Sequence, residues 1–131
     1  MMNALQDLKL RPDFDAREFM CRGQSCSCHG ALLVVSELLD VLQAVRDSWK
    51  EPITVLSGFR CDSHNASVGG HPRSYHRLGM AADITSSKIV NTLKGRNPDL
   101  DLLASSLRGF LGDFYGNLIL YPHRNFVHLD V

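Results

Sequence analysis

One amphipathic pattern dominates the first half of the chain. Between residues 32 and 49 (LLVVSELLDVLQAVRDSW) apolar residues recur at three- and four-residue spacing, and Pro52 follows the pattern closely. The apolar stripe consists of Leu32, Val35, Leu38, Leu39, Leu42, Val45 and Trp49. This spacing predicts a helix that buries the stripe in the core.

Shorter patterns predict the other elements. The runs ITVLSGF (53–59) and AADIT (81–85) predict strands, and Arg60–Tyr75 between them has the composition of a loop. Helices are predicted for SSKIVNTL (86–93) and for PDLDLLASSLRGFL (98–111), with Pro98 in the first turn and Gly112 at the stop. The runs YGNLILYP and NFVHLDV (115–122 and 125–131) predict a terminal hairpin. Because regular βαβ alternation is absent, the mixture favours an α+β fold.

Length and charge narrow the class of protein. The 131 residues suit one domain, 1–131, in which residues 1–30 form an N-terminal segment with a Cys-rich loop. Fourteen basic and fourteen acidic residues balance, without a Lys/Arg run, which argues against nucleic acid as a partner. The start of the chain does not resemble a signal peptide, and no apolar run approaches about 18 residues. We therefore expect synthesis in the cytoplasm and no membrane partner.

Three of the four cysteines crowd into the segment CRGQSCSCH. These are Cys21, Cys26 and Cys28, with His29 adjacent. Their spacing does not match the paired C-x-x-C of ordinary structural zinc sites. Two interpretations are therefore open: free or oxidised thiols in a loop, or a second zinc site. Cys61 is distant in sequence but could join them.

A second group of residues has the composition of a catalytic zinc site. His76, Asp83 and His128 offer two imidazoles and one carboxylate, which leave a fourth tetrahedral position open for water. Gly79 allows the chain to turn back between the first two. The spacing His-x6-Asp is weak when taken alone, because a packed histidine and a turn-capping aspartate would produce it too.

The surrounding motifs carry a resemblance to a known family. The chain contains, in order, SGFR (57–60), HNASVGGHPRSYHRLGMAAD (64–83) and YPHRNFVHLDV (121–131). These segments resemble the zinc D-Ala-D-Ala carboxypeptidase family, in which SG(Y/F)R, N-x-x-x-G-G, S-x-H-x-x-G-x-A-x-D and H-x-D follow one another. That family belongs to a wider group with lysostaphin-type enzymes and hedgehog signalling domains. The similarity extends from about residue 19 to the C-terminus.

The resemblance implies a fold and a metal. The fold would be a small antiparallel sheet with flanking helices, similar to hedgehog domains and D-Ala-D-Ala peptidases. One zinc ion per chain would be bound by His76, Asp83 and His128.

The resemblance also implies roles in substrate binding and catalysis. Arg60 would bind a substrate carboxylate or the developing oxyanion, although an ion pair with Asp62 or another acid is the structural alternative. Ser74 and Tyr121 would join Arg60 in substrate binding. His123, five residues before His128, would support the tetrahedral intermediate, and an exposed histidine of the hairpin turn is the structural alternative.

The general base is where the chain departs from the family. Many members have an acid three residues before the second histidine ligand, and Asn125 stands there. Others in the wider group have a histidine two residues before it, and Phe126 stands there. Asp130 points to the same strand face as His128 and is either the base or an acceptor that orients an imidazole.

The implied function is hydrolysis of peptidoglycan stem peptides or cross-bridges through a zinc-activated water, by a D-Ala-D-Ala carboxypeptidase-like or endolysin-like enzyme. We expect a monomer that acts on the cell wall after release, as a phage-associated protein would. A zinc-containing cell-wall or protein-binding module with weak or no activity is the alternative, favoured by Asn125. A purely structural, closed four-ligand zinc site is a third.

Overall fold

The structure is a computed structural model that describes residues 8–24, 26–95, 99–112 and 116–131. It begins with a small hairpin of β1 (Lys9–Arg11) and β2 (Phe14–Asp15), followed by a 3-10 turn, Ala16–Phe19. The side chain of Glu18 accepts the backbone N–H of Asp15 at 2.7 Å, which caps this turn. Sequence patterns did not predict the hairpin, because strands of two or three residues are too short to show periodicity.

The first long helix, α1, spans Ser36–Trp49 and begins later than predicted. Leu32 instead forms an isolated bridge with Met20, and Val35 is extended because its N–H donates to the carbonyl of Gly79 at 3.0 Å. A tertiary hydrogen bond thus delays the helix. The apolar stripe still faces the core. Its buried members are Leu38, Leu39, Leu42 and Val45, and the partly buried Leu32, Val35 and Trp49 pack against the edge of the core.

The main sheet has four antiparallel strands in the order β3-β4-β6-β5. They are β3 (Thr54–Ser57), β4 (Ala81–Thr85), β5 (Leu118–Tyr121) and β6 (Phe126–Asp130). The other helices are α2 (Asp62–Ser67), α3 (Ser87–Lys94) and α4 (Leu100–Leu111). The α+β class, the strands β3 and β4, the terminal hairpin and the helices α3 and α4 are therefore confirmed.

The prediction of a loop for residues 60–75 was wrong in part, because α2 lies within it. This helix has no apolar stripe that a periodicity search could find. It is stabilised at its start by Cys61, whose Sγ accepts the backbone N–H of His64 at 3.4 Å. Gly112 follows the last residue of α4 as predicted, whereas Pro98, Tyr115 and residues 1–7 lie outside the described residues.

The two faces of the sheet have different environments. One face packs against α1, α3 and α4 and contributes Val55, Ala82, Ile84, Val127 and Leu129 to the core. Alternation places the polar side chains of β4 and β6 on the opposite face. There the register pairs Asp83 with His128 and Ala81 with Asp130. Among the described residues, no helix combines the length and apolar character needed to cross a membrane.

We predict that Gly79→Ala destabilises the protein far more than Gly69→Ala. Both glycines have a positive φ, +69° and +73°, which costs an alanine about 1–2 kcal/mol. A Cβ at Gly79 would also lie 2.4 Å from the carbonyl oxygen of Leu33, whereas at Gly69 it would meet nothing within 4 Å.

Urea denaturation of the two variants measures the difference in unfolding free energy. The expected loss is more than about 2 kcal/mol for Gly79→Ala and about 1 kcal/mol for Gly69→Ala. Equal losses would contradict the close approach of Gly79 to the segment before α1.

Candidate metal centre

A cleft of about 580 Å³ lies over the polar face of the main sheet. Its lining includes side chains of β4, β5 and β6 and residues of the segment 68–76. The volume is typical of sites for small ligands or a few residues of a peptide. His76, Asp83 and His128 all line this cleft.

Local structure brings these three side chains from separate elements. His76 lies on a 3-10 turn, Tyr75–Leu78, whose start is capped by Ser74 Oγ accepting the N–H of His76 at 3.2 Å. Gly79 ends the turn in the left-handed conformation and redirects the chain into β4. Asp83 and His128 are directly paired on neighbouring strands.

The donor atoms converge on one point. Asp83 Oδ1 lies 3.2 Å from His76 Nε2 and 3.0 Å from His128 Nδ1. One ligand atom from each residue lies within 4.8 Å of the others. His76 and Asp83 are buried and His128 is nearly so, which limits the access of water to the group.

The outer nitrogen of each imidazole is held by an acceptor. His76 Nδ1 donates to the carbonyl of Gly58 at 2.8 Å, and His128 Nε2 donates to Asp130 Oδ2 at 2.9 Å. In the neutral imidazoles the inner nitrogens therefore carry lone pairs directed at the Asp83 carboxylate. Three such atoms repel one another unless a proton or a cation lies between them, so the donor set fits a bound metal ion.

The ionisation of the group follows from the same contacts. Burial raises the pKa of the Asp83 carboxyl, but His128 and His76, when they are protonated, lower it more through hydrogen bonds, and the net pKa lies well below its usual range. Burial lowers the pKa of His128, whereas Asp83 and Asp130 raise it, and the net pKa lies above its ordinary value. Asp83 is thus an anion over the physiological range, as a metal ligand must be.

Comparison with known families agrees with this geometry. The family model for peptidase M15 matches residues 12–130. The chain belongs to the peptidase M15 family. This is the family of zinc D-Ala-D-Ala carboxypeptidase type that the motifs resemble, and its members are metal-dependent peptidases. A search of curated proteins found no matching relative.

In this member of the peptidase M15 family, Arg60 is held against Asp83. Its Nη2 donates to Asp83 Oδ2 at 3.2 Å, its Nε to Ser57 Oγ at 3.1 Å and its Nη1 to Asn65 Oδ1 at 3.3 Å. The structural alternative for Arg60, an ion pair with Asp62 or another acid, is present with Asp83 as the acid, whereas Asp62 pairs with Arg77 at 2.6 Å. Arg60 therefore fixes the second oxygen of Asp83 and leaves Oδ1 for the two histidines.

Asp130 is buried behind His128. Besides accepting from His128, it accepts the backbone N–H of Asn117 at 2.7 Å through Oδ1. Both carboxylate oxygens are thus engaged, and the contact to His128 is at the imidazole nitrogen that faces away from Asp83. This arrangement favours the orienting role over the role of base.

The structure does not bring His123 into the cleft. The turn between β5 and β6 carries it, and its side chain is exposed and outside the cleft lining. Asn125 lies in the same turn at φ 58°, a conformation that asparagine adopts more readily than most residues. It too is absent from the lining, whereas Ser74 and Tyr121 belong to it. Tyr121 stacks on Phe126 with ring centroids 4.6 Å apart.

Sequence reasoning assigned no role to Asn65, which the structure places in contact with Arg60, a residue of the cleft lining. Asn65 is buried, accepts from Arg60 and donates through Nδ2 to the carbonyl of His71 at 2.8 Å. A Cβ at Gly70 would lie 2.0 Å from Asn65 Oδ1, so the side chain requires a glycine there. The spacing of Asn65 and the Gly pair in N-x-x-x-G-G was the available signal.

We predict that Asn65→Ala lowers the free energy of unfolding by about 1–3 kcal/mol, because it removes a buried side chain together with its hydrogen bonds to Arg60 and to the carbonyl of His71. Ser67→Ala on the exposed side of the same helix is the matched control and should change it by less than about 0.5 kcal/mol. Chemical denaturation measures both. A loss at Asn65 no greater than at Ser67 would contradict the bridging role.

Proposed function

We propose that this protein is a zinc peptidase that hydrolyses peptidoglycan stem peptides or cross-bridges. His76, Asp83 and His128 would be the ligands of the zinc ion. The observation that carries the proposal is the convergence of these three donor atoms in a cleft, each imidazole held from behind by an acceptor. Two imidazoles and one carboxylate form an open donor set, as catalytic zinc requires. Membership of a peptidase family supports the choice of a peptide as substrate.

When bound, zinc supplies a Lewis acid that polarises the scissile carbonyl and lowers the pKa of water to about 7. The residues of this chain orient the donors for that chemistry. The Gly58 carbonyl fixes the tautomer of His76, and Asp130 fixes that of His128.

Substrate binding follows from the charge of the cleft. Arg60, Arg73 and Arg124 line it, together with His71. A guanidinium has five N–H donors, and the contacts of Arg60 to Ser57, Asn65 and Asp83 use three of them. The remaining two can bind a peptide carboxylate or the oxyanion. This favours an acidic peptide, with Ser74 and Tyr121 lining the same cleft.

One observation favours a second candidate, a zinc-containing cell-wall binding module with little or no activity. Among the described residues, the cleft is lined by only two acids, Asp83 and Asp130, and both are tied to other side chains. A free carboxylate positioned as general base is therefore absent from that lining. A binding module requires the cleft and its charges but no base.

Peptidoglycan digestion distinguishes the two candidates. The zinc-loaded protein is incubated with purified peptidoglycan, and soluble products are identified by mass spectrometry. Release of D-alanine or of shortened stem peptides, lost on chelation, supports the peptidase. Co-sedimentation with peptidoglycan without any product supports the binding module and contradicts the peptidase.

We predict that His76→Ala lowers the zinc content by about one ion per chain and abolishes product release, since one of three ligands is removed. His123→Ala removes an exposed histidine of the turn and should leave the zinc content unchanged. Elemental analysis after dialysis measures both. Undiminished zinc in His76→Ala would refute the ligand set, and lost activity with full zinc in His123→Ala would give His123 a role in catalysis.

Asp130→Asn tests the orienting role directly. If Asp130 orients His128, we expect about 10- to 100-fold weaker zinc affinity, because the imidazole loses its charged acceptor. If Asp130 is the base, turnover should instead fall by about 10² to 10⁴ with zinc affinity unchanged. Competition with a chromogenic chelator and turnover at saturating zinc separate the two. Asn125→Asp, a carboxylate added outside the cleft lining, should change neither quantity.

A further inference from the structure

The four cysteines form a second group of possible metal ligands, separate from the histidine site. Cys21, Cys26 and Cys28 lie in the segment before α1, and Cys61 is the residue that caps α2. One Sγ from each lies within 4.8 Å of the other three. The fold thus brings the distant Cys61 into the group. His29, adjacent in sequence, is not among these donors.

The distances between sulfur atoms match a tetrahedron around one ion. The Sγ–Sγ separation is 3.3 Å for Cys26 and Cys28, 3.7 Å for Cys21 and Cys61, and 4.0 Å for Cys21 and Cys26. Zinc–sulfur bonds of about 2.3 Å in a tetrahedron place the sulfurs about 3.8 Å apart. A disulfide would require a pair at about 2.05 Å. Four mutually close sulfurs are the arrangement of a shared cation, not of two separate pairs.

We propose that Cys21, Cys26, Cys28 and Cys61 bind a structural zinc ion. Four thiolates complete the tetrahedral coordination and leave no position for water or substrate, which distinguishes this site from the open histidine site. The thiols give up their protons to solvent on binding the ion. The proposal stands on the cysteine geometry and does not depend on the proposed peptidase activity.

The surroundings of the sulfurs suit a bound thiolate. Ser63 and the backbone N–H of His64 hydrogen-bond to Cys61 Sγ at 3.5 and 3.4 Å. A Cβ at Gly23 would lie 2.6 Å from Cys26 Sγ, so the backbone of the loop packs directly against the group. Cys21 is buried.

Such a site would tie the N-terminal segment to the wall of the cleft. Cys61 directly follows Arg60, which holds Asp83. Two residues earlier, the N–H of Phe59 donates to the carbonyl of Phe19 at 2.9 Å, and the carbonyl of Gly58 accepts from His76. The cysteine site would therefore connect the two segments, which carry Cys21 and Cys61, close to the hydrogen bond between Phe19 and Phe59. Its loss should loosen the supports of the histidine site.

The test uses the full chain, purified with reductant and loaded with zinc alone. In the His76→Ala background we expect about one zinc per chain to remain, and adding Cys61→Ser should remove it. Serine is a good helix N-cap, so Cys61→Ser keeps the cap of α2 while it removes a thiolate. Cys28→Ser is a second variant with the same expected loss. His29→Asn, a change beside the cluster that tolerates the positive φ of His29, should retain the ion.

Cobalt(II) provides a readout that is independent of activity. Cobalt added to metal-free His76→Ala should produce intense thiolate-to-metal charge-transfer absorption, which Cys61→Ser should abolish. Circular dichroism establishes whether each variant is folded, and the cobalt spectrum of the His76→Ala protein with all four cysteines tests the site even if the cysteine variants unfold.

Three outcomes would overturn the proposal. These are loss of all zinc in His76→Ala, zinc content unchanged by Cys61→Ser in a folded protein, and absence of charge-transfer absorption in His76→Ala with all four thiols reduced. Failure of the histidine site gives a different result. The wild-type chain would then hold one zinc that is insensitive to His76→Ala and is lost in Cys61→Ser.

Discussion

The carboxylate of Asp83 is the charge around which the cleft is organised. A buried anion is costly unless it is paired and hydrogen-bonded, and here its two oxygens have separate partners. Arg60 engages Oδ2, and the two histidines approach Oδ1. Each partner is in turn held by another element. The position of one side chain therefore constrains β3, β4, β6 and the turn that carries His76.

The sheet makes this arrangement possible because its two faces have opposite characters. Ala82 and Ile84 alternate with Asp83 on β4, so the strand anchors itself in the core while it presents a carboxylate to the cleft. The same alternation on β6 separates Val127 and Leu129 from His128 and Asp130. A register shift of one residue would bury the ionisable groups in the core, and the packing of the helices opposes it.

The segment from Gly58 to Cys61 connects the two groups of donors. Gly58 orients His76, Arg60 orients Asp83 and Cys61 belongs to the proposed cysteine site. A Cβ at Gly58 would lie 2.7 Å from the Cα of Phe19, so this segment also packs tightly on the N-terminal part of the chain. A metal ion at the cysteines would thus stabilise the segment that orients His76 and Asp83, without contacting the substrate.

The sequence by itself determined the α+β class, the helices α3 and α4, the four strands of the main sheet and the three candidate donors of the cleft. These features were predictable because local periodicity and the order of short motifs can be recognised in the sequence before the fold is known. Only the tertiary structure decided that α1 begins at Ser36, that Asp130 lies behind His128 and that His123 is exposed and outside the cleft lining. It alone joined Cys61 to the distant cysteines. These outcomes depend on strand register, turn direction and contacts between segments far apart in sequence, and no local pattern encodes such contacts.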